Sequence, residues 1–344
     1  MFEDLIPGTD RYDVEEEVGH GTFSEVHRAR DKQSGAVVAL KVSYLQQEGV
    51  LPRHVQRELR VLRALAGQPA IVQLLDVQQQ EFAVALVLEH CLADLRVLLS
   101  ALRGAPLDAA VAKAVAQQLL QGLAALHAAG YVHRDVAPSN VLISPTGAIK
   151  LGDFGQARRL PGAASAAAAA GAANGIAGPH SDEEDSEGPP GSLTPGACLC
   201  TRWYKAPELL FNSRTYTRAV DLWGVGCIIA ELLAGKALFA GSSDISQLAA
   251  MSDLLGSISE ERWPGVRDLP DWGKLIFEQE PPKDLATALP GTPPEAVQLV
   301  GALLQYNPEH RLTAQQALAS EWFRSEPLPA GPEALLAIAR EALD

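Results

Sequence analysis

Residues 133–140 read His133-Arg134-Asp135-Val136-Ala137-Pro138-Ser139-Asn140, and Asp153-Phe154-Gly155 begins thirteen positions after Asn140 (153 − 140). Two short apolar runs, 141–143 and 149–151, flank a turn between them and read as strands. Asp135, Asn140 and Asp153 are each, taken alone, ordinary turn or cap residues. In this order and at this spacing they constrain the chain far more.

Upstream lie the other parts of the constellation. Gly19-His20-Gly21-Thr22-Phe23-Ser24 brings two glycines between strands, where a backbone turn approaches phosphates closely. Alone it is an ordinary hairpin turn, and Ser24 stands where a third glycine would be. Lys41 follows twenty-two positions after Gly19 (41 − 19), at the end of the apolar run Val38-Ala39-Leu40. Pro52 then opens a helical pattern with Val55, Leu59, Leu62 and Leu65 on one stripe and Glu58 beside it. An ammonium holds the α- and β-phosphates of a nucleotide only if a carboxylate orients it, and Glu58 is the partner expected for Lys41. Asp135 is read as the acceptor of a substrate hydroxyl proton. Asn140 and Asp153 are read as magnesium ligands, the metal neutralising a phosphoryl group in transfer.

The texture around these residues is two-part. Strands are expected at 12–18, 25–29, 36–42, 71–77 and 82–88, with the one helix from Pro52 among them. After residue 90 helices dominate. Val111, Val115, Leu119, Leu123 and Leu126 form a stripe ending near Gly130. The expected fold is α+β: a small β-rich lobe over 1–90, a larger α-rich lobe over 91–324 and a tail over 325–344. Residues 161–196 hold an alanine tract, an acidic cluster from Ser181 to Glu187 and a Pro/Gly stretch, and read as a disordered insertion. Residues 222–240 are apolar enough to resemble a membrane span. They contain Glu231 and Lys236, so a buried core helix is the better reading.

Composition narrows the function classes. A net charge of −14 argues against nucleic acid as a partner. The four cysteines, Cys91, Cys198, Cys200 and Cys227, form neither a disulfide framework nor zinc-site spacing and read as reduced thiols. The acidic first ten residues lack an apolar signal core, so a cytoplasmic protein is expected.

The ordered motifs resemble the protein kinase superfamily over nearly the whole chain. Ala206-Pro207-Glu208, Asp221-Leu222-Trp223-Gly224 and Arg311, placed to pair with Glu208, agree. The resemblance implies a bilobal fold and transfer of phosphate from ATP with Mg2+ to protein. It implies that Gly19, Gly21, Val26, Ala39, Lys41, Glu89, Cys91 and Leu142 bind the nucleotide, with Leu88 as gatekeeper. Leu62, Leu74, Phe154 and His133 would stack as an apolar spine.

Thr201-Arg202-Trp203-Tyr204-Lys205-Ala206-Pro207-Glu208 is similar to cyclin-dependent kinases and their relatives, as is the segment 241–282. Finer pieces, among them Val72-Gln73-Leu74 and Cys91-Leu92-Ala93-Asp94-Leu95, resemble the cell-cycle-related kinases associated with cilium length. That resemblance implies serine/threonine specificity, proline direction, a place at cilia or flagella, another kinase as substrate and a cyclin-like or unrelated activator. Lys205 stands where the family has arginine and lacks its planar fork. Arg57, Arg134 and Arg158 fill the three positions that converge on a phosphothreonine in the family, and Thr194 is the candidate. Ser181 and Ser186 are candidate regulatory sites, against the plainer reading of a solvated acidic run. Phe23 replaces an inhibitory tyrosine.

One departure bears on chemistry. Ala137 stands where serine/threonine kinases carry a lysine two residues after the catalytic aspartate. Losing such a donor costs roughly 2–4 kcal/mol of barrier. The alternative reading is therefore a pseudokinase acting as a nucleotide-binding or scaffold partner.

Overall fold

The computed structural model describes residues 6–21, 24–160, 202–213, 215–274 and 280–343. Thr22, Phe23, the insertion at 161–196 with Ser181, Ser186 and Thr194, and also Cys198, Cys200 and Thr201 lie outside the described residues.

The first lobe is an antiparallel sheet in the order β1-β2-β3-β5-β4, built from β1 (Tyr12–His20), β2 (Glu25–Asp31), β3 (Val37–Tyr44), β4 (Leu74–Gln79) and β5 (Ala83–Glu89). Side chains of a strand alternate between faces. In β3, Val38, Leu40 and Val42 therefore pack outward with Ile6 and Tyr12. Ala39, Lys41 and Ser43 take the opposite face, and Lys41 and Ser43 reach α1 (Arg53–Ala64) there. Proline fits the start of a helix because its missing N–H has no intrahelical partner, and Pro52 is the cap of α1. Burial of Val55, Leu59 and Leu62 fixes the helix's rotation and turns Glu58, 1% exposed, towards Lys41. Each such apolar side chain contributes roughly 1.5–3 kcal/mol on burial.

After the short α2 (Leu95–Ala101), the second lobe is helical around α3 (Ala109–Ala128) and α4 (Ala219–Ala234). The apolar stretch expected as a core helix is α4, buried from Val220 to Ala230 without interruption. It ends at Ala234, because Gly235 adopts φ +71°. A Cβ at Gly224 would stand 2.6 Å from the carbonyl oxygen of Val136, so only glycine lets α4 pass this close to the loop carrying Asp135. Strands 141–143 and 149–151 form the expected hairpin.

Two expectations need correction, and the tail adds an element not anticipated. Strand β4 begins at Leu74 rather than at Ile71. Ile71 instead bridges Leu151, and Val72 N–H donates to Leu151 O (3.0 Å), so this run ties the lobes together. The strand boundaries at His20, Asp31 and Tyr44 lie two residues beyond those expected, because ladder pairing carries them past the apolar pattern. The tail contains a helix, Pro332–Leu343, which buries Leu335 and Ala339 against the large lobe. Lys113, 1% exposed on α3, donates to the carbonyls of Ser325 (2.8 Å) and Pro327 (2.7 Å) and so grips the chain leading to it.

Candidate active site

Lys41 lies in the inner row of β3 and reaches three carboxylate oxygens. Its Nζ lies 2.9 and 2.8 Å from the two Glu58 oxygens and 2.9 Å from Asp153 Oδ1. An ammonium has three hydrogens, and all three are used. Burial opposes its charge, but Asp153 and Glu58 outweigh burial and hold Lys41 protonated. The Lys41 charge in turn holds the Asp153 carboxyl down at about 2, against burial. Asp153 adopts φ +55° and leaves its side chain 51% exposed in the cleft.

Across the cleft, Asn140 Nδ2 donates to the Asp135 backbone oxygen (2.7 Å) and to Asp135 Oδ2 (3.2 Å). This leaves Asn140 Oδ1 as its acceptor. Asp135 moves the other way from Asp153: burial, and then the Asp153 charge, raise its pKa. Two neighbouring carboxylates with opposed shifts are suited to different tasks, one holding cations and one accepting a proton. The donor set of one carboxylate and one amide oxygen suits Mg2+, which retains waters and substrate phosphates. No group of three metal-ligating His, Cys, Asp or Glu side chains exists among the described residues.

The loop bearing Asp135 is held by a residue whose role sequence reading missed. Asp221, buried at the start of α4, accepts from the backbone N–H groups of His133 (2.8 Å) and Arg134 (2.7 Å) and from His127 Nε2 (2.8 Å). Burial alone would raise its carboxyl, yet these donors lower it. They stabilise a loop in which Arg134 has φ +72°, an unfavourable conformation for a residue with a Cβ. His133 donates from Nε2 to Gly152 O (2.9 Å) and its ring lies 5.2 Å from that of Phe154. Leu62 and Phe154 are buried and Leu74 half-buried, at the positions expected for the apolar spine.

The residues expected to bind nucleotide lie in or beside β1, β2, β3 and β5 and on the 141–143 strand. Gly19 pairs with Val26, Val26 with Lys41 and Ala39 with Leu88 across the sheet. Leu142 packs against Gly152 from the large lobe. Glu89 N–H is taken by Gln73 O (2.9 Å), whereas the Cys91 N–H has no acceptor among the described residues. Gly21 N–H donates to Ser24 O (2.8 Å), closing the glycine turn. Of the three arginines, Arg57 lies on α1, Arg134 stacks 4.7 Å over Tyr216, and Arg158 pairs in register with Val132.

A profile of the protein kinase domain matches residues 12–323. Cyclin-dependent kinase 20 of Mus musculus is 37% identical over 328 residues, covering 95% of this chain and 86% of that protein. Cyclin-dependent kinase B2-1 of Arabidopsis thaliana is 33% identical, covering 94% and 96%. A solved CAK complex from Chaetomium thermophilum bound to ATP-gamma-S contains a chain with TM-score 0.76 and 30% identity, with 94% of each chain covered. No helix among the described residues is long and apolar enough to cross a membrane.

Proposed function

The chain belongs to the protein kinase family as a serine/threonine kinase of the cyclin-dependent type, and from that premise we propose that it transfers the γ-phosphoryl group of magnesium-bound ATP to protein serine or threonine followed by proline. The observation that carries this reading is Lys41, bonded to both Glu58 and Asp153, across the cleft from the Asp135–Asn140 pair.

In this reading the glycine turn at Gly19 and Gly21 covers the phosphates, Val26, Ala39 and Leu142 enclose adenine, and backbone groups from Glu89 to Cys91 take its edge. Lys41, fixed by Glu58, orients the α- and β-phosphates. Asp153 and Asn140 would hold Mg2+, which when bound supplies charge neutralisation at the phosphates. Asp135 orients the substrate hydroxyl. The hydroxyl oxygen bonds to the γ-phosphorus, the bond from phosphorus to the β–γ bridging oxygen breaks, ADP leaves, and the hydroxyl proton passes to Asp135. The alternative of a catalytically silent relative gains no support from the comparisons.

Activation is read the same way. Phosphothreonine at 194 would draw Arg57, Arg134 and Arg158 together, since like charges gather around an anion. A cyclin-like activator is supported by the names of the relatives. A cytoplasmic place at cilia or flagella, with another kinase as substrate, rests on the resemblance to cell-cycle-related kinases. The test is γ-phosphate transfer by the purified, Thr194-phosphorylated chain to a basic protein and to Ser-Pro and Ser-Ala peptides, beside D153N. Transfer that requires Mg2+ and is lost in D153N is expected. ATP binding without transfer overturns the reading, and equal use of both peptides removes proline direction.

A further inference from the structure

Strand β3 meets α1 at two points. Lys41 Nζ reaches both Glu58 oxygens (2.9 and 2.8 Å), and the Ser43 hydroxyl lies 3.3 Å from His54 Nε2. Two residues of a strand advance about 6.7 Å and return to the same face. Four residues of a helix advance about 6 Å and complete little more than one turn. Lys41 and Ser43 on β3 therefore match Glu58 and His54 on α1 as two rungs, taken in opposite senses along the two elements. Ser43 is 2% exposed, so its hydroxyl needs a partner inside the protein. Burial, joined by the Lys41 charge, lowers the pKa of His54, so a neutral imidazole meets that hydroxyl.

The second rung also lies against the Asp153-Phe154-Gly155 turn. A Cβ at Gly155 would stand 3.4 Å from the His54 Cβ and 3.4 Å from Asp153 Oδ1. The first turn of α1 thus packs on the residues that present Asp153 to the cleft. This end of the helix lacks the usual devices that fix a helix start. Pro52 makes no side-chain capping bond, and the first turn has no acidic residue. A helix held through Glu58 alone can pivot about that bond, whereas a second point one turn away fixes its axis. Misplacing a group at a reacting centre by about 1 Å can cost about a hundredfold in rate.

We propose that His54 is a positioning residue for phosphoryl transfer. Its bond to Ser43 and its contact with Gly155 hold α1 at a second point, and so keep Lys41, Glu58 and Asp153 in the arrangement that receives the nucleotide. This inference rests on the kinase reading, and the two fail separately. Absence of transfer by the unmodified chain removes the reading, whereas equal transfer by the unmodified chain and H54A removes only the inference.

The experiment is steady-state transfer by the full, phosphorylated chain and by H54A, H54Q, S43A and S43A/H54A, below the thermal midpoint of every variant. H54A should lower kcat at least about threefold and leave KM for the peptide within about twofold. H54Q, whose amide can reach the Ser43 hydroxyl, should recover at least about half of the lost kcat. The double variant should be no slower than H54A within about twofold, since both changes remove one bond. Should H54A fail to fold, S43A carries the test with the same limit on kcat. The proposal is overturned if the loss of kcat is smaller than that limit, if H54Q is no better than H54A, or if the two single losses multiply in S43A/H54A.

Discussion

Two buried carboxylate–cation pairs, one in each lobe, differ in what surrounds them. Glu208 and Arg311 meet in the large lobe through two bonds of 2.6 and 2.7 Å. The remaining Arg311 donors reach the carbonyls of Gln305 (2.6 Å), Ala219 (3.1 Å) and Tyr306 (3.0 Å). All five N–H groups are satisfied, with side-chain exposures of 0% and 3%. Lys41 and Glu58 are also close, but the third Lys41 hydrogen goes to Asp153, half in solvent. The first pair is closed on protein. The second keeps one bond on a half-exposed carboxylate, so it can exchange that partner for a ligand. A buried ion pair is costly to make in either place. What it does depends on whether its last donor ends inside the fold or at its surface.

Breaking the closed pair should give the largest effect on stability. Glu208→Gln strands a guanidinium that cannot lose its proton. The expected loss is roughly 3–5 kcal/mol, read as a lower midpoint in chemical denaturation. Nucleotide affinity of the remaining folded fraction should not change, and a loss below about 1 kcal/mol would remove the contrast.

Lys41→Met should do the reverse. Transfer should fall at least a hundredfold, about 2.7 kcal/mol of barrier. Stability should fall by less than in Glu208→Gln, because burial already pushes the Glu58 carboxyl up and it can take a proton. Parallel transfer assays and denaturation curves decide this, and equal losses of stability in the two variants would make the pairs equivalent.

The legibility of these two regions in sequence follows the same division. Lys41 and Glu58 were readable because each lies on a periodic element, period two in β3 and 3.6 in α1, so their faces could be inferred. The spacing from Asp135 to Asp153 was readable because a short hairpin fixes it. Asp221 was legible only as the opening of a core helix. Its bonds to His133 and Arg134 span 88 and 87 positions, and no local pattern encodes that contact. Ile71 was misread, and the helix at Pro332–Leu343 not anticipated, for a related reason. A β-branched run looks the same whether it joins a ladder or bridges another lobe, and a short tail helix is stabilised by what it packs on rather than by propensity.

The smallest effect expected is one of pH, and it sharpens what the open pair does. The Lys41 charge lowers Asp153 from its ordinary 3.8 to about 2. Between those values the unfolded chain binds more protons at this position than the folded one, so stability rises with pH there. The contribution is fully present above about pH 4 and is lost as pH falls towards 2. Its size is limited, because the Asp153 side chain is half-exposed and solvent screens the pair. Denaturation measured in steps from about pH 5 to pH 2.5 should show the unmodified chain losing stability more steeply than Asp153→Asn. Lys41→Met should follow the shallower course of that variant, since the cation holding the carboxylate ionised is gone. Coincident slopes for all three proteins would mean that Lys41 does not hold Asp153 ionised, and the open pair would then reduce to Lys41 and Glu58 alone.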